Sequence, residues 1–114
     1  MSIQQGTIVW VAVSDQANRN PKCRPAVIVT PTAEIVPTET VVAVAITGTF
    51  SNPLPANRIP LPWQNGGHPV TRIYKQCVAA CDWLIEFEQS AIVSVGGICP
   101  PSVLDAILRN IPRK

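Results

Sequence analysis

The stretch Lys22-Cys23-Arg24-Pro25-Ala26-Val27-Ile28-Val29-Thr30 decides the reading of this chain. Pro25 biases Arg24 toward an extended backbone, because the helical region is sterically disfavoured for a residue preceding proline. Pro25 itself lacks an amide hydrogen and belongs at the start or edge of a strand. Ala26, Val27, Ile28 and Val29 then form a short apolar run of the kind that fills a buried strand. The expected result is a guanidinium at the mouth of a β-structure. That position suits recognition of a phosphate or carboxylate better than it suits a core.

Outward from this segment the chain reads as strands separated by proline-rich connections. Thr7–Val13, after Gly6, predicts a first strand, and Cys23–Thr30 a second. Residues 14–21 are polar and loop-like. Val41–Ile46 predicts a third strand ending at Thr47, Arg58–Leu61 a short fourth, Gln76–Phe87 a fifth and Val93–Val95 a sixth before Gly96-Gly97. From Pro101 to Ile111 the period changes. Val103, Leu104, Ile107, Leu108 and Ile111 recur at helical spacing, with Asp105 and Arg109 four apart on the other side. Pro101 suits the first helical turn. The first three strands are apolar on both faces, whereas an open sheet with one wet face should alternate. The fold class is therefore mainly β: a small curled barrel of five to six short strands with a C-terminal amphipathic helix, in a single domain spanning residues 1–114.

Composition bounds the setting. The hydrophobic fraction is 46% against 14% charged, so some apolar surface is expected to be covered by a partner, most simply a second copy. The net charge of +2 permits nucleic-acid binding without demanding it. No basic-then-apolar leader opens the sequence, and no apolar run approaches the roughly 18–20 residues needed to span a bilayer. The expected setting is the cytoplasm, with no membrane partner and with Cys23, Cys77, Cys81 and Cys99 as reduced thiols. With no Cys-x-x-Cys pair and a single histidine, His68, neither a metal site nor a cofactor is expected.

The chain carries no P-loop, dinucleotide fingerprint, zincin motif or nucleophile elbow. An enzyme built from it must work through positioned cations and hydroxyls. Arg24, opening the second strand, and Thr47, ending the third, are the best such groups, since in an antiparallel pair one strand starts near where the next ends. Together they could hold a phosphodiester, with Arg24 stabilising charge on the non-bridging oxygens and Thr47 donating to them. Arginine is a poor general base. Asp15, Glu34 and Asp82 are open candidates for that role or for orienting Arg24.

The order Gly6-x-Ile8-Val9-Trp10-Val11, then Lys22–Thr30, then Val41–Thr47 resembles the MazF/PemK/Kid family of bacterial toxins. So do the later Thr71–Leu84 segment, the Val95-Gly96-Gly97 segment and the closing helix; the likeness runs from about Gly6 to Ile111. The resemblance implies an SH3-like β-barrel forming a homodimer, and a metal-independent endoribonuclease, an mRNA interferase, neutralised by a cognate antitoxin. It implies attack by a ribose 2′-hydroxyl on the adjacent phosphate of single-stranded RNA, and it matches the family's catalytic arginine and threonine to Arg24 and Thr47. The chain departs from the family pattern at Gly48, at Trp83-Leu84 after Asp82, and in the loop from Trp63 to Lys75.

Around this pair, Lys22, Arg19, Arg58, Arg72 and Lys75 could track an RNA backbone, though each alone also reads as a solvated side chain. Phe50, Trp63 and Tyr74 could stack on bases or pack beneath their loops. Trp10 and Trp83 read as core or dimer contacts, and His68 as an exposed loop residue. Two rivals stand beside the nuclease. One is a non-catalytic barrel binding an antitoxin peptide or nucleic acid. The other is a gyrase poison on the same fold, for which the resemblance would require an aromatic C-terminus that Ile111-Pro112-Arg113-Lys114 does not supply.

Overall fold

In the computed structural model, which describes residues 3–13, 22–48 and 53–111, six strands precede one helix. These are β1 (Thr7–Val13), β2 (Lys22–Ile28), β3 (Thr40–Thr47), β4 (Arg58–Pro60), β5 (Val78–Glu88), β6 (Ile92–Ile98) and α1 (Pro101–Asn110). Single turns of 3-10 helix fall at Thr32–Glu34 and Gln89–Ala91. All pairings are antiparallel, in the order β4-β5-β3-β2-β1-β6.

The mainly-β architecture with a closing helix is the expected one, but the sheet is not a closed barrel: β4 and β6 remain as edges. The doubly apolar strands have another cause. Both faces of the sheet carry a buried cluster. One gathers Ile8, Val27, Val44, Ile46, Leu61, Ile73, Cys77, Ala79, Cys81, Cys99 and Ile107. The other gathers Val9, Val11, Ala26, Ile28, Val41, Ala43 and Ile92, with Ile3, Ile35, Ile85 and Phe87 against it. Successive residues of β1 and β2 alternate between the two clusters, as the period of two requires.

Helix α1 lies against β4 and β5. Pro101 occupies its first turn, and the Leu104 amide donates to the Pro100 carbonyl at 2.9 Å. Ile107 is fully buried, a contribution of roughly 2–3 kcal/mol. Val103, Leu104 and Ile111 pack on the same cluster, and Asp105 pairs with Arg109 at 3.0 Å on the solvent side.

Strand β6 differs from its expected extent. It begins at Ile92 and runs through both Gly96 and Gly97. Gly97 continues the strand because another chain segment crosses directly over it. A Cβ there would sit under 3.0 Å from the Val70 carbonyl oxygen and the Thr71 carbonyl group, and the next amide, Ile98, donates to the Val70 carbonyl at 2.9 Å. The crossing loop is braced internally. Buried Thr71 donates from Oγ1 to the Pro62 carbonyl (2.8 Å) and accepts from the Ile73 amide (3.2 Å). His68 accepts the Val70 and Thr71 amides at Nδ1 (3.1 and 3.3 Å).

All four thiols are free, with Cys23 exposed and the other three buried. Burial pushes Cys77 from 9.0 up to about 11, against the opposing influence of Lys75, and Cys99 from 9.0 up to about 12. Burial also raises Cys81, with Arg58 opposing. In the fold these groups keep their protons at a pH where the unfolded chain loses them. Their stabilisation is intact below about pH 9 and is lost as pH rises toward the folded values. The melting temperature is therefore expected to fall steadily above about pH 9; a flat profile to the alkaline limit contradicts this. Iodoacetamide on the native protein should modify Cys23 alone, the buried thiols reacting only in denaturant.

Candidate active site

Arg24 sits in β2 opposite Val11 of β1, one residue before the proline that starts the apolar run. The β2–β3 ladder pairs Ala26 with Ala45, Val27 with Val44 and Ile28 with Ala43. The ladder ends at Ala26 and Ala45, two residues short of Arg24 on β2 and of Thr47 on β3. Thr47 ends β3, paired with Val78 of β5.

Arg24 is half-buried, and among the described residues its guanidinium has no carboxylate partner. Its Nε is shut off from solvent and, among the described residues, has no acceptor. Its guanidinium carbon lies over the Trp83 ring, 5.4 Å from the centroid. A buried unpaired donor ordinarily costs about 1–3 kcal/mol. An arginine held this way keeps its charge and its remaining donors for an incoming anion.

Beside it opens a cleft of about 110 Å³ lined by Trp10, Pro25, Ile46, Ile73, Tyr74 and Cys77, with Arg24, Gly48 and Lys75 at its polar points. Tyr74 is 52% exposed at this cleft, an aromatic surface available to a flat ligand. The loop braced by Thr71 thus forms one wall, and the adjoining ends of β2 and β3 another.

Other expected contributors are placed differently. Arg58, on edge strand β4, binds Asp82 at 2.6 Å, so a candidate RNA contact and a candidate base engage each other. Glu34 lines a separate hollow with Val29, Thr30 and Glu39, at the far end of the β2–β3 pair from Arg24. Arg72 is exposed in the crossing loop, in a left-handed conformation (φ 65°). Trp63 is 45% exposed and is not among the residues lining the cleft. Lys22 opens β2 opposite Val13. Arg19, Phe50 and Asp15 lie outside the described residues. Trp83, read from sequence as a core or interface residue, is half-buried and also contacts Arg24 through its ring. The sequence signal was its departure from a more polar family pattern, but nothing in the linear order could reveal which side chain it meets.

A family model described as PemK-like, MazF-like toxin of type II toxin-antitoxin system matches residues 4–113. The chain belongs to this toxin family. Solved structures place its fold with other PemK/MazF-like proteins. MazF (Form-I) from Deinococcus radiodurans superposes with a TM-score of 0.75 at 18% identity, over 97% of this chain and 94% of that one. An endoribonuclease in complex with its cognate antitoxin from Mycobacterial species gives a TM-score of 0.71 at 15% identity, over 96% and 91%. The Mycobacterium tuberculosis toxin MazF-mt6 gives 0.61 at 19% identity, over 90% of each chain. Curated protein sequences yield no significant match. No helix among the described residues is long and apolar enough to cross a membrane.

Proposed function

We propose that this PemK/MazF-like chain is a metal-independent endoribonuclease that cuts single-stranded mRNA as the toxin of a type II toxin–antitoxin pair. The observation that carries this reading is Arg24, a half-buried guanidinium with no carboxylate partner among the described residues, beside an open, largely apolar cleft. Family membership and the endoribonucleases among its structural neighbours support it. In this reading the ribose O2′ attacks the adjacent phosphorus and the P–O5′ bond breaks. One fragment ends in a 2′,3′-cyclic phosphate and the other in a 5′-hydroxyl. The proton that leaves O2′ ends on O5′. Arg24 stabilises charge on the non-bridging oxygens of the phosphorane, and Thr47 donates to the same oxygens. The cleft takes a neighbouring base against Tyr74 while Lys75 meets the backbone. The working form is a homodimer in the cytoplasm, and a cognate antitoxin blocks the RNA surface.

Incubation with a long single-stranded RNA in EDTA tests the reading. Discrete fragments bearing 2′,3′-cyclic phosphates are expected, and a 2′-deoxy substitution at a mapped cut site should abolish that cut. RNA left intact by folded protein refutes the nuclease. Inhibited supercoiling would then favour a gyrase poison, and RNA binding without cleavage a non-catalytic module.

A further inference from the structure

Trp83 stands where the β3–β5 ladder breaks. Val44 pairs with Leu84 but Ile46 with Ala79, so two steps along β3 correspond to five along β5. The three residues in excess fall within Ala80 to Trp83, immediately before Leu84. Such irregularities bend a strand and re-aim its side chains. From Trp83 onward the alternation is regular, with Trp83, Ile85 and Phe87 half-buried and Leu84, Glu86 and Glu88 exposed. The indole is thereby turned inward, under the guanidinium of Arg24 at 5.4 Å.

A cation can be held in place by a carboxylate or by an aromatic face, and the two have different consequences. A carboxylate neutralises the charge and occupies the N–H donors. An aromatic face attracts the cation without competing strongly for those donors. Here the carboxylate next in sequence, Asp82, is already bound by Arg58 at 2.6 Å. The buried Nε, facing no acceptor among the described residues, fits a guanidinium fixed by packing and ring attraction rather than by ion pairing.

We infer that Trp83 is a positioning residue that holds the Arg24 guanidinium charged, aimed and open to the phosphate through the face of its ring. The inference rests on the nuclease reading above. Two substitutions of comparable bulk separate the ring from its volume. Trp83→Phe keeps an aromatic face and should hold kcat within about threefold. Trp83→Met fills space without one and should lower kcat about tenfold, with KM nearly unchanged. In an Arg24→Ala background, Trp83→Met should have no further effect on residual cleavage, because the ring acts only through the cation.

Equal kcat for Trp83→Phe and Trp83→Met overturns the inference while leaving the nuclease intact, as does an undiminished Trp83→Met effect without Arg24. Parental cleavage by Arg24→Ala overturns the nuclease reading itself. A measurement that keeps Trp83 guards against a misfolded variant. In protein labelled with 5-fluorotryptophan, with the resonances assigned through Trp10→Phe and Trp63→Phe, the Trp83 fluorine signal should shift when Arg24 is replaced by alanine. A stationary signal also sinks the proposal.

Discussion

Arg24→Ala is expected to reduce RNA cleavage about 10³-fold or more while leaving the protein folded. The large kinetic effect follows from what the guanidinium does in the proposed transition state. Charge accumulates on the non-bridging oxygens as the phosphorane forms, and in a partly desolvated site a fixed cation stabilises that charge far better than water does. The small structural effect follows from its surroundings. Among the described residues Arg24 forms no ion pair, and its Nε is an orphaned donor, so truncation leaves no charged partner stranded. Loss of the contact with Trp83 and relief of the orphaned donor oppose each other, each on the order of 1 kcal/mol. The melting temperature should therefore move by only about 5 °C or less. Growth inhibition on expression should vanish in parallel with cleavage. A folded variant that cuts at the parental rate removes the basis of the functional assignment.

Gly97→Ala is the largest expected effect on stability. The added Cβ would meet the backbone of Val70 and Thr71, which cannot move aside as a flexible side chain would. Either β6 or the crossing loop must shift, breaking the bond from the Ile98 amide to the Val70 carbonyl. A loss of about 3 kcal/mol is expected, a fall in melting temperature on the order of 15 °C. Gly96→Ala is the control. Its Cβ would come to 3.3 Å from the Ile8 carbonyl and 3.5 Å from the Trp10 indole nitrogen, a tight fit that small shifts absorb. Its loss should stay near 1 kcal/mol. Because the same loop supplies Ile73, Tyr74, Lys75 and Cys77 to the cleft, Gly97→Ala should also weaken cleavage below its melting temperature. Equal melting temperatures for the two alanine variants would mean that the loop does not bear on β6 as described.

Strand and helix identity was readable wherever local rules acted alone. β1 lies at its expected bounds, and the helix starts at Pro101 as its N-terminal proline and periodicity require. The departures share a cause: each depends on a segment distant in sequence. Gly96-Gly97 reads as a strand terminator by composition, yet it is where β6 accepts the backbone at Val70 and Thr71. Doubly apolar strands suggested closure, because the sequence does not say that a helix and a loop can cover one face while Ile3, Ile35, Ile85 and Phe87 pack on the other.

By itself the sequence determined an arginine fixed before a proline at the head of an apolar strand, because that backbone restriction is local. It also determined the set of residues able to do chemistry, since the chain offers few alternatives. Only the tertiary structure decided which of them meet. The excess residues in β5 turned Trp83 under Arg24, Arg58 took Asp82, and the loop crossing Gly97 carried Tyr74 and Lys75 to the cleft. Ladder register and loop crossings arise from contacts between remote segments, and no periodicity within a single segment encodes them.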